Sequence, residues 1–398
     1  MPYIQKIIFN AVVVVALFAI PSATAATGKR IIHEFTGGTD GAFPQVEPIM
    51  DGRNNYYGVT AAGGSSIADC EYGCGTVYRL LRNEVRILYA FTGGEDGYLP
   101  YGPLLLYNRE FYGVTAGGGA NDKGTVYKIS RDGIHTVLHS FVGGAEGGGP
   151  SGALVADGDG NLYGIAGGGI GNGGTIYKLT PNGDYSVLHA FDPLQGEGTL
   201  PSYGLVAASD GNFYGTTIFG GTGGGDQCSP YGCGTVYKIT PGGVITFIRN
   251  FDGGVLDGSK PWGGLTIDAN DNLYGTTYEG GGFEDGTGLG TVYKLTTSGV
   301  FTILHSFQRN GTDGDLPYTG VTADAQGNLY GTTYYGGVNN DGVIYKVTSD
   351  GHETILYSFN SEDGGFPARP VPSSRNSIIG TTDTGGVNNT GTIYQLKY

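Results

Sequence analysis

The sequence predicts an all-β protein: a seven-bladed β-propeller, four antiparallel strands per blade, closed by its N-terminal strand pairing with its C-terminal one. Three observations predict it. Three short markers each recur seven times along the 398 residues. The segments between turn residues are short, β-branched and aromatic, and none in the mature chain keeps a helical period. The repeat frame is out of phase with the chain, which begins on a fourth strand and ends on a third.

The first marker is Tyr-Gly, at Tyr57, Tyr112, Tyr163, Tyr214, Tyr274 and Tyr330, with Ile379 in the seventh place, at spacings of 49 to 60 residues. The second, G-[TV]-[VI]-Y, begins at Gly75, Gly124, Gly174, Gly234, Gly290, Gly342 and Gly391. The third is an apolar stretch ending in Phe35, Phe91, Phe141, Phe191, Phe251, Phe307 and Phe359. A fixed period of this size marks a repeat architecture, and four strands per repeat mark a propeller blade.

The third repeat shows each element in order. Ala153 to Ala156 is a short apolar run, strand a. Asp157 to Asn161 (DGDGN) is a hairpin turn of residues that tolerate positive φ. Leu162 to Ile165 is strand b, and a glycine-rich loop leads to strand c, Thr175 to Leu179. Pro181-Asn-Gly183 turns the chain into strand d, Tyr185 to Phe191. Glycines inside strand b are expected to let neighbouring blades approach closely.

The C-terminal phrase GTIYQLKY supplies a strand c with no strand d after it, while Ile31 to Phe35 is a strand d with no a, b or c before it. Joining the two completes seven blades and removes two unpaired edges, which are an aggregation liability. The alternative is an open β-solenoid.

Lys6, the apolar run Ile7 to Ile20 and Ala23-Thr-Ala25 read as a cleaved secretory leader over 1–25. The run is shorter than the roughly 20 apolar residues of a membrane span. Residues 26–398 are then one domain, soluble and secreted, extracellular or periplasmic, and expected to be monomeric. Formal charge is −15, and −16 once Lys6 leaves with the leader. That balance gives no cationic footprint for nucleic acid or anionic lipid. Glycine, 78 residues, lacks the G-X-Y period of collagen.

Several phrases carry a family resemblance: Asp324-Ala-Gln-Gly-Asn-Leu-Tyr-Gly-Thr-Thr333, Gly290-Thr-Val-Tyr-Lys-Leu-Thr296 and Leu304-His-Ser-Phe307. Over nearly the whole mature chain the sequence resembles the GloVer-type tandem-repeat proteins. The resemblance implies an exported, propeller-like bacterial protein, often with a C-terminal sorting anchor, and implies no established activity. This sequence ends at Tyr398 with no hydrophobic tail of that kind.

Candidate sites follow from the connections between strand d and the next strand a. Each holds one acid: Asp40, Asp96, Glu146, Glu197, Asp257, Asp313 and Asp363. One reading is an anionic rim at the channel mouth. The other is a turn, since Asp-Gly supplies an Asx turn and a residue at positive φ, and sevenfold recurrence favours it. The residue after the following proline varies: Gln45, Tyr101, Ser151, Ser202, Trp262, Tyr318 and Ala368. Tyr101, Trp262 and Tyr318 could stack on a sugar face, or could pack between blades.

Cys70, Cys74, Cys228 and Cys233 are expected to form two local disulfides. They lie in repeats one and four, so a shared zinc ion is not expected. His33, His139, His189 and His305 share one strand-d position with Tyr89, Arg249 and Tyr357, which reads as structural. The Asp157-x-Asp159-x-Asn161 turn lacks the bidentate acid of a calcium loop. No metal, cofactor or catalytic residue is predicted. The functional expectation is a non-catalytic binding module for a glycan or cell-surface protein. The alternative is a glycoside hydrolase or polysaccharide lyase, which would need two differentiated acids, or a Tyr/His and acid set, such as one using Asp257 and Asp313.

Overall fold

The computed structural model describes residues 28–398 apart from 65–69, 224–227, 229, 256, 283–287, 361 and 375. The leader expected over 1–25 lies outside the described residues. The fold is all-β and propeller-like, and among the described residues the only helical elements are three-residue 3-10 turns such as Gly144–Glu146. No helix among the described residues is long and apolar enough to cross a membrane.

The third repeat pairs Gly148–Ala156, Leu162–Gly167, Thr175–Leu179 and Tyr185–Ala190 in chain order, each antiparallel to the next. The first, second, fourth, fifth and sixth repeats keep this a–b–c–d order. In the seventh, Val371–Ser374, Ser377–Thr384 and Thr392–Lys397 are joined by Arg30–Glu34 from the other end of the chain. Ile31 faces Tyr394 and His33 faces Ile393, with a register slip between them. The internal pairs slip at the same place, as between Val137 and His139. The N-terminal strand therefore has the geometry of a strand d.

Strand a is longer than expected. It starts at Gly148 rather than Ala153, and its register breaks between Ser151, facing Ile165, and Val155, facing Tyr163. Such a bulge leaves Gly152 to Leu154 out of the antiparallel ladder and bends the strand just past Ser151.

Neighbouring repeats lock through a glycine and a proline. A Cβ on Gly174 would lie 2.3 Å from Cδ of Pro201, and one on Gly391 would lie 2.5 Å from Cδ of Pro44. The bare glycine thus seats the next repeat's proline, and the seventh repeat seats the first in the same way. The residue before each proline takes a left-handed φ even where it is not glycine: Phe43 57°, Leu99 54°, Leu200 56°, Lys260 57°, Leu316 56° and Phe366 51°. That conformation is costly for a side-chain-bearing residue. It aims the N–H back at the preceding repeat: Leu200 N–H donates to Gly173 O at 2.8 Å, and Phe43 N–H to Thr390 O at 2.8 Å.

The core of each repeat is the tyrosine of its G-[TV]-[VI]-Y phrase. Tyr78, Tyr127, Tyr177, Tyr237, Tyr293, Tyr345 and Tyr394 are all fully buried. Each lies opposite the strand-b glycine, as Tyr177 opposite Gly164. A Cβ on Gly164 would sit 2.4 Å from the Tyr177 hydroxyl oxygen. The strand-b glycines thus make room for a cross-strand tyrosine in their own repeat, which corrects the expectation of close approach between blades. The period-2 pattern could not reveal this, because the register between strands b and c was not known.

Candidate functional site

Asp157 accepts the N–H groups of Asp159 (3.0 Å) and Asn161 (2.9 Å) on Oδ1, and Asn161 Nδ2 (2.7 Å) and the Tyr163 hydroxyl (2.9 Å) on Oδ2. Burial alone would raise this carboxyl, but the donated hydrogen bonds outweigh it and hold the pKa below its ordinary value. Asp51, Asp210, Asp268 and Asp324 repeat the motif and the direction. Both oxygens of Asp157 are committed to the hairpin.

The seven acids of the connections each lie against a strand-d residue. Asp96 accepts from the Tyr89 hydroxyl at 2.8 Å, Glu146 pairs with His139 at 2.6 Å, and Glu197 with His189 at 3.0 Å. Asp257 takes Arg249 at 2.6 Å, and Asp40 takes His33 at 3.1 Å. Asp363 takes the Tyr357 hydroxyl and the Lys29 ammonium, the latter at 2.9 Å. Asp313 lies 3.4 Å from His305 Nε2. Most also accept a backbone N–H just past the strand, such as Gln308 N on Asp313 at 2.9 Å. The variable strand-d position and the acid are two halves of one contact. Reading them as separate columns hid that.

The post-proline residues converge instead. All seven, Gln45, Tyr101, Ser151, Ser202, Trp262, Tyr318 and Ala368, line one cavity of about 320 Å³. They come from seven repeats spread over more than 300 residues of chain. One side of the cavity is aromatic. Trp262 and Tyr318 are 4.9 Å apart between ring centres, Tyr318 stacks on Tyr334 at 4.5 Å, and Tyr334 meets Phe366 edge-on at 5.0 Å. These rings therefore touch between repeats and still present edges to the cavity. Ser151, Gly152 and Ser202 supply a stretch of small residues in the wall. Ser202 Oγ donates to the Trp262 carbonyl at 2.6 Å, which holds that segment in place.

Tyr334, Phe366 and Asp383 were not singled out from the sequence. Asp383 is the one carboxylate on the wall, and its Oδ1 is buried without a hydrogen-bond partner. Burial raises its pKa, with Gln45 opposing. The signal for it exists four residues past the first marker tyrosine or isoleucine. There the repeats carry Ala61, Ala116, Gly167, Ile218, Tyr278, Tyr334 and Asp383. Small residues in the first three repeats become large or charged in the last four.

Tyr203 also lines the cavity. Its hydroxyl donates to Glu47 Oε2 at 2.8 Å, and Glu47 takes Arg369 on its other oxygen. The Arg369 guanidinium lies 5.2 Å from the Tyr203 ring centre. This trio joins repeats one, four and seven and is buried, with Glu47 only 4% exposed. Tyr203 needs space and strain: its φ is 60°, and a Cβ on Gly264 would lie 2.5 Å from the Tyr203 Cβ. Glycine fills the equivalent place at Gly102, Gly152 and Gly263, and Val46 and Thr319 fill it in the first and sixth repeats, so Tyr203 and Arg369 do not stand out in the column.

Both disulfides form as expected. Cys70–Cys74 and Cys228–Cys233 have Cα separations of 5.3 and 5.1 Å. They staple two loops and do not touch the cavity wall.

Among solved structures, the chain is similar to the periplasmic gluconolactonase of Pseudomonas aeruginosa. Identity is 15% and the TM-score 0.51, over 86% of this chain and 96% of that one. It is also similar to a putative gluconolactonase, at 14% identity and TM-score 0.42 over 74% of this chain and 87% of that one. A third likeness is to the calcium-binding protein regucalcin of Agrobacterium tumefaciens, at 12% identity and TM-score 0.44 over 75% and 89%. The first of these speaks to the fold alone. No curated protein matches the chain. The model described as the Gloeobacter/Verrucomicrobia repeat matches residues 65–289 and 287–398, and the chain belongs to that family.

Proposed function

We propose that the seven repeats close into a seven-bladed β-propeller and that the protein is an exported, non-catalytic binding module holding a small carbohydrate group in its central cavity. The observation that carries this reading is the convergence of seven post-proline residues on one cavity with an aromatic side, a stretch of small residues and one unpartnered carboxylate oxygen. The volume, about 320 Å³, is at the lower end of the roughly 300–1,000 Å³ usual for ligand pockets. That favours one sugar ring or chain end over a long polymer. Trp262, Tyr318 and Tyr334 offer apolar ring edges, and Asp383 and Gln45 offer hydrogen bonds to hydroxyls. Tyr203 lines the cavity and is held by Glu47 and Arg369 behind it.

A hydrolase or lyase using the connection acids finds less support. Asp257 is tied to Arg249 and Asp313 sits beside His305, both against strand d. One carboxylate on the cavity wall does not make an acid/base pair. Two disulfides support a place outside the cytoplasm. The leader at 1–25 and the monomeric state belong to the same proposal.

The test is a glycan array followed by titration of any hit against Trp262 fluorescence. Trp262 is the only tryptophan, so a quench that saturates at one ligand per chain supports the cavity. Binding that survives Tyr318→Ala and Asp383→Asn unchanged would place the ligand elsewhere. A new reducing end released from the hit would favour the enzyme.

A further inference from the structure

The contacts between strands d of adjacent repeats follow a rule. The residue two before the strand-d phenylalanine meets the residue six before the phenylalanine of the next repeat. Tyr89 stacks on His135 at 4.4 Å, and His139 on Tyr185 at 4.2 Å. Arg249 lies over Phe301 at 4.3 Å, and Lys29 over Tyr357 at 4.6 Å. Each contact sits beside one connection acid. The partner six before phenylalanine is Lys29, Val85, His135, Tyr185, Ile245 or Phe301, never an acid. The exception is Glu353, which meets His305 beside Asp313.

We propose that His305, Asp313 and Glu353 form a binding site for a divalent transition-metal ion of the zinc class, clamping the fifth and sixth repeats together. Three observations carry it. The donor atoms of the three side chains all lie within 4.8 Å of one another. His305 Nε2 is 3.4 Å from Asp313 Oδ2 and 3.7 Å from Glu353 Oε1. Zinc–ligand distances of roughly 2.0–2.2 Å in a tetrahedron imply ligand–ligand edges of about 3.3–3.6 Å, and the two His305 edges, 3.4 and 3.7 Å, come close to that spacing. The same distances are long for hydrogen bonds. His305 Nε2 and Glu353 Oε1 are accordingly buried and without hydrogen-bond partners.

The site is also built. Asp313 is fixed by the N–H of Gln308 at 2.9 Å and of Gly314 at 2.6 Å, which leaves its carboxylate aimed at His305. Two carboxylates and one imidazole converge in a largely buried place. At the other contacts the acid stands alone beside a phenol, an imidazole or a cation. One imidazole and two carboxylates suit zinc, and their three ligands leave a fourth position for water. The three side chains are 16%, 6% and 15% exposed, so an ion can enter from solvent.

The test uses the whole protein stripped with chelator. Zinc, manganese and calcium are titrated separately by calorimetry, and native mass spectrometry counts bound ions. The expected result is one zinc per chain, bound at least tenfold more tightly than calcium, with a rise in melting temperature. Glu353→Gln is expected to weaken zinc binding at least tenfold. Glu353→Phe copies the Arg249–Phe301 contact, so it should fold and lose zinc entirely. Absence of saturable zinc binding overturns the proposal. So does zinc binding that is unchanged in both variants.

Discussion

Truncating Phe35 to alanine tests how firmly the chain's two ends are joined. Phe35 is 1% exposed and packs in one cluster with Tyr56, Tyr78 and Leu80 of the first repeat and Ile379 and Ile393 of the seventh. Its ring centre is 5.6 Å from that of Tyr78. A phenylalanine ring so placed costs about 3–5 kcal/mol when cut back to alanine. The internal equivalent is Phe191, 0% exposed and packed with Tyr163, Ile176 and Tyr237. The two substitutions should therefore cost the same within about 1 kcal/mol. Urea unfolding, followed by far-ultraviolet circular dichroism and by Trp262 fluorescence, gives both values. If the N-terminal strand were detached, Phe35 would be a surface residue and its loss would fall within about 0.5 kcal/mol of zero. A full cost at Phe191 with almost none at Phe35 would refute the reasoning.

The buried tyrosines give a matched pair: the Tyr177 hydroxyl has no partner, so Tyr177→Phe should leave stability unchanged or raise it by up to about 1 kcal/mol, whereas Tyr163→Phe removes a donor from Asp157 and should lower it by roughly 1.5 kcal/mol in the same urea assay. Stability should also fall on acidification. Asp51, Asp157, Asp210, Asp268 and Asp324 all have folded pKa values below the ordinary 3.8, so their contribution is complete above that value and is lost as pH drops through the lower folded values. Urea midpoints measured from pH 7 to 2 should decline mainly below about pH 4, and Asp157→Asn should reduce that decline. Reducing both disulfides should cost at most about 2 kcal/mol each, because the closed loops are short, and a thermal melt with and without reductant measures it. Tyr318→Ala should weaken any cavity ligand by at least tenfold while moving the melting temperature little, since Tyr318 is only half-buried.

The sequence carried the repeat because each marker has one local job. Gly174 must stay bare for Pro201, and Tyr177 must face Gly164, so both recur with little variation. The post-proline column was readable as a site for the opposite reason, since no common contact constrains it. What the sequence hid was pairing between columns. Glu197 and His189, or Glu353 and His305, are ordinary residues until the register and the neighbouring repeat bring them together. The buried trio was hidden likewise, because Tyr203, Glu47 and Arg369 meet from three repeats over more than 150 residues of chain. Asp383 stood in a column that changes character along the chain, a pattern that a search for recurring phrases passes over.

One cross-link bears most directly on whether the ring is closed. Arg30 and Gln395 are paired across the two terminal strands, and the native cysteines are already bonded to each other. In the Arg30→Cys, Gln395→Cys double variant, a disulfide within one chain should form on oxidation, seen by mass mapping of the non-reduced protein, because paired residues in antiparallel strands lie about 4.5–5.5 Å apart at Cα. Two free thiols, or bonds only between separate chains, would contradict the closed ring and the cavity built on it.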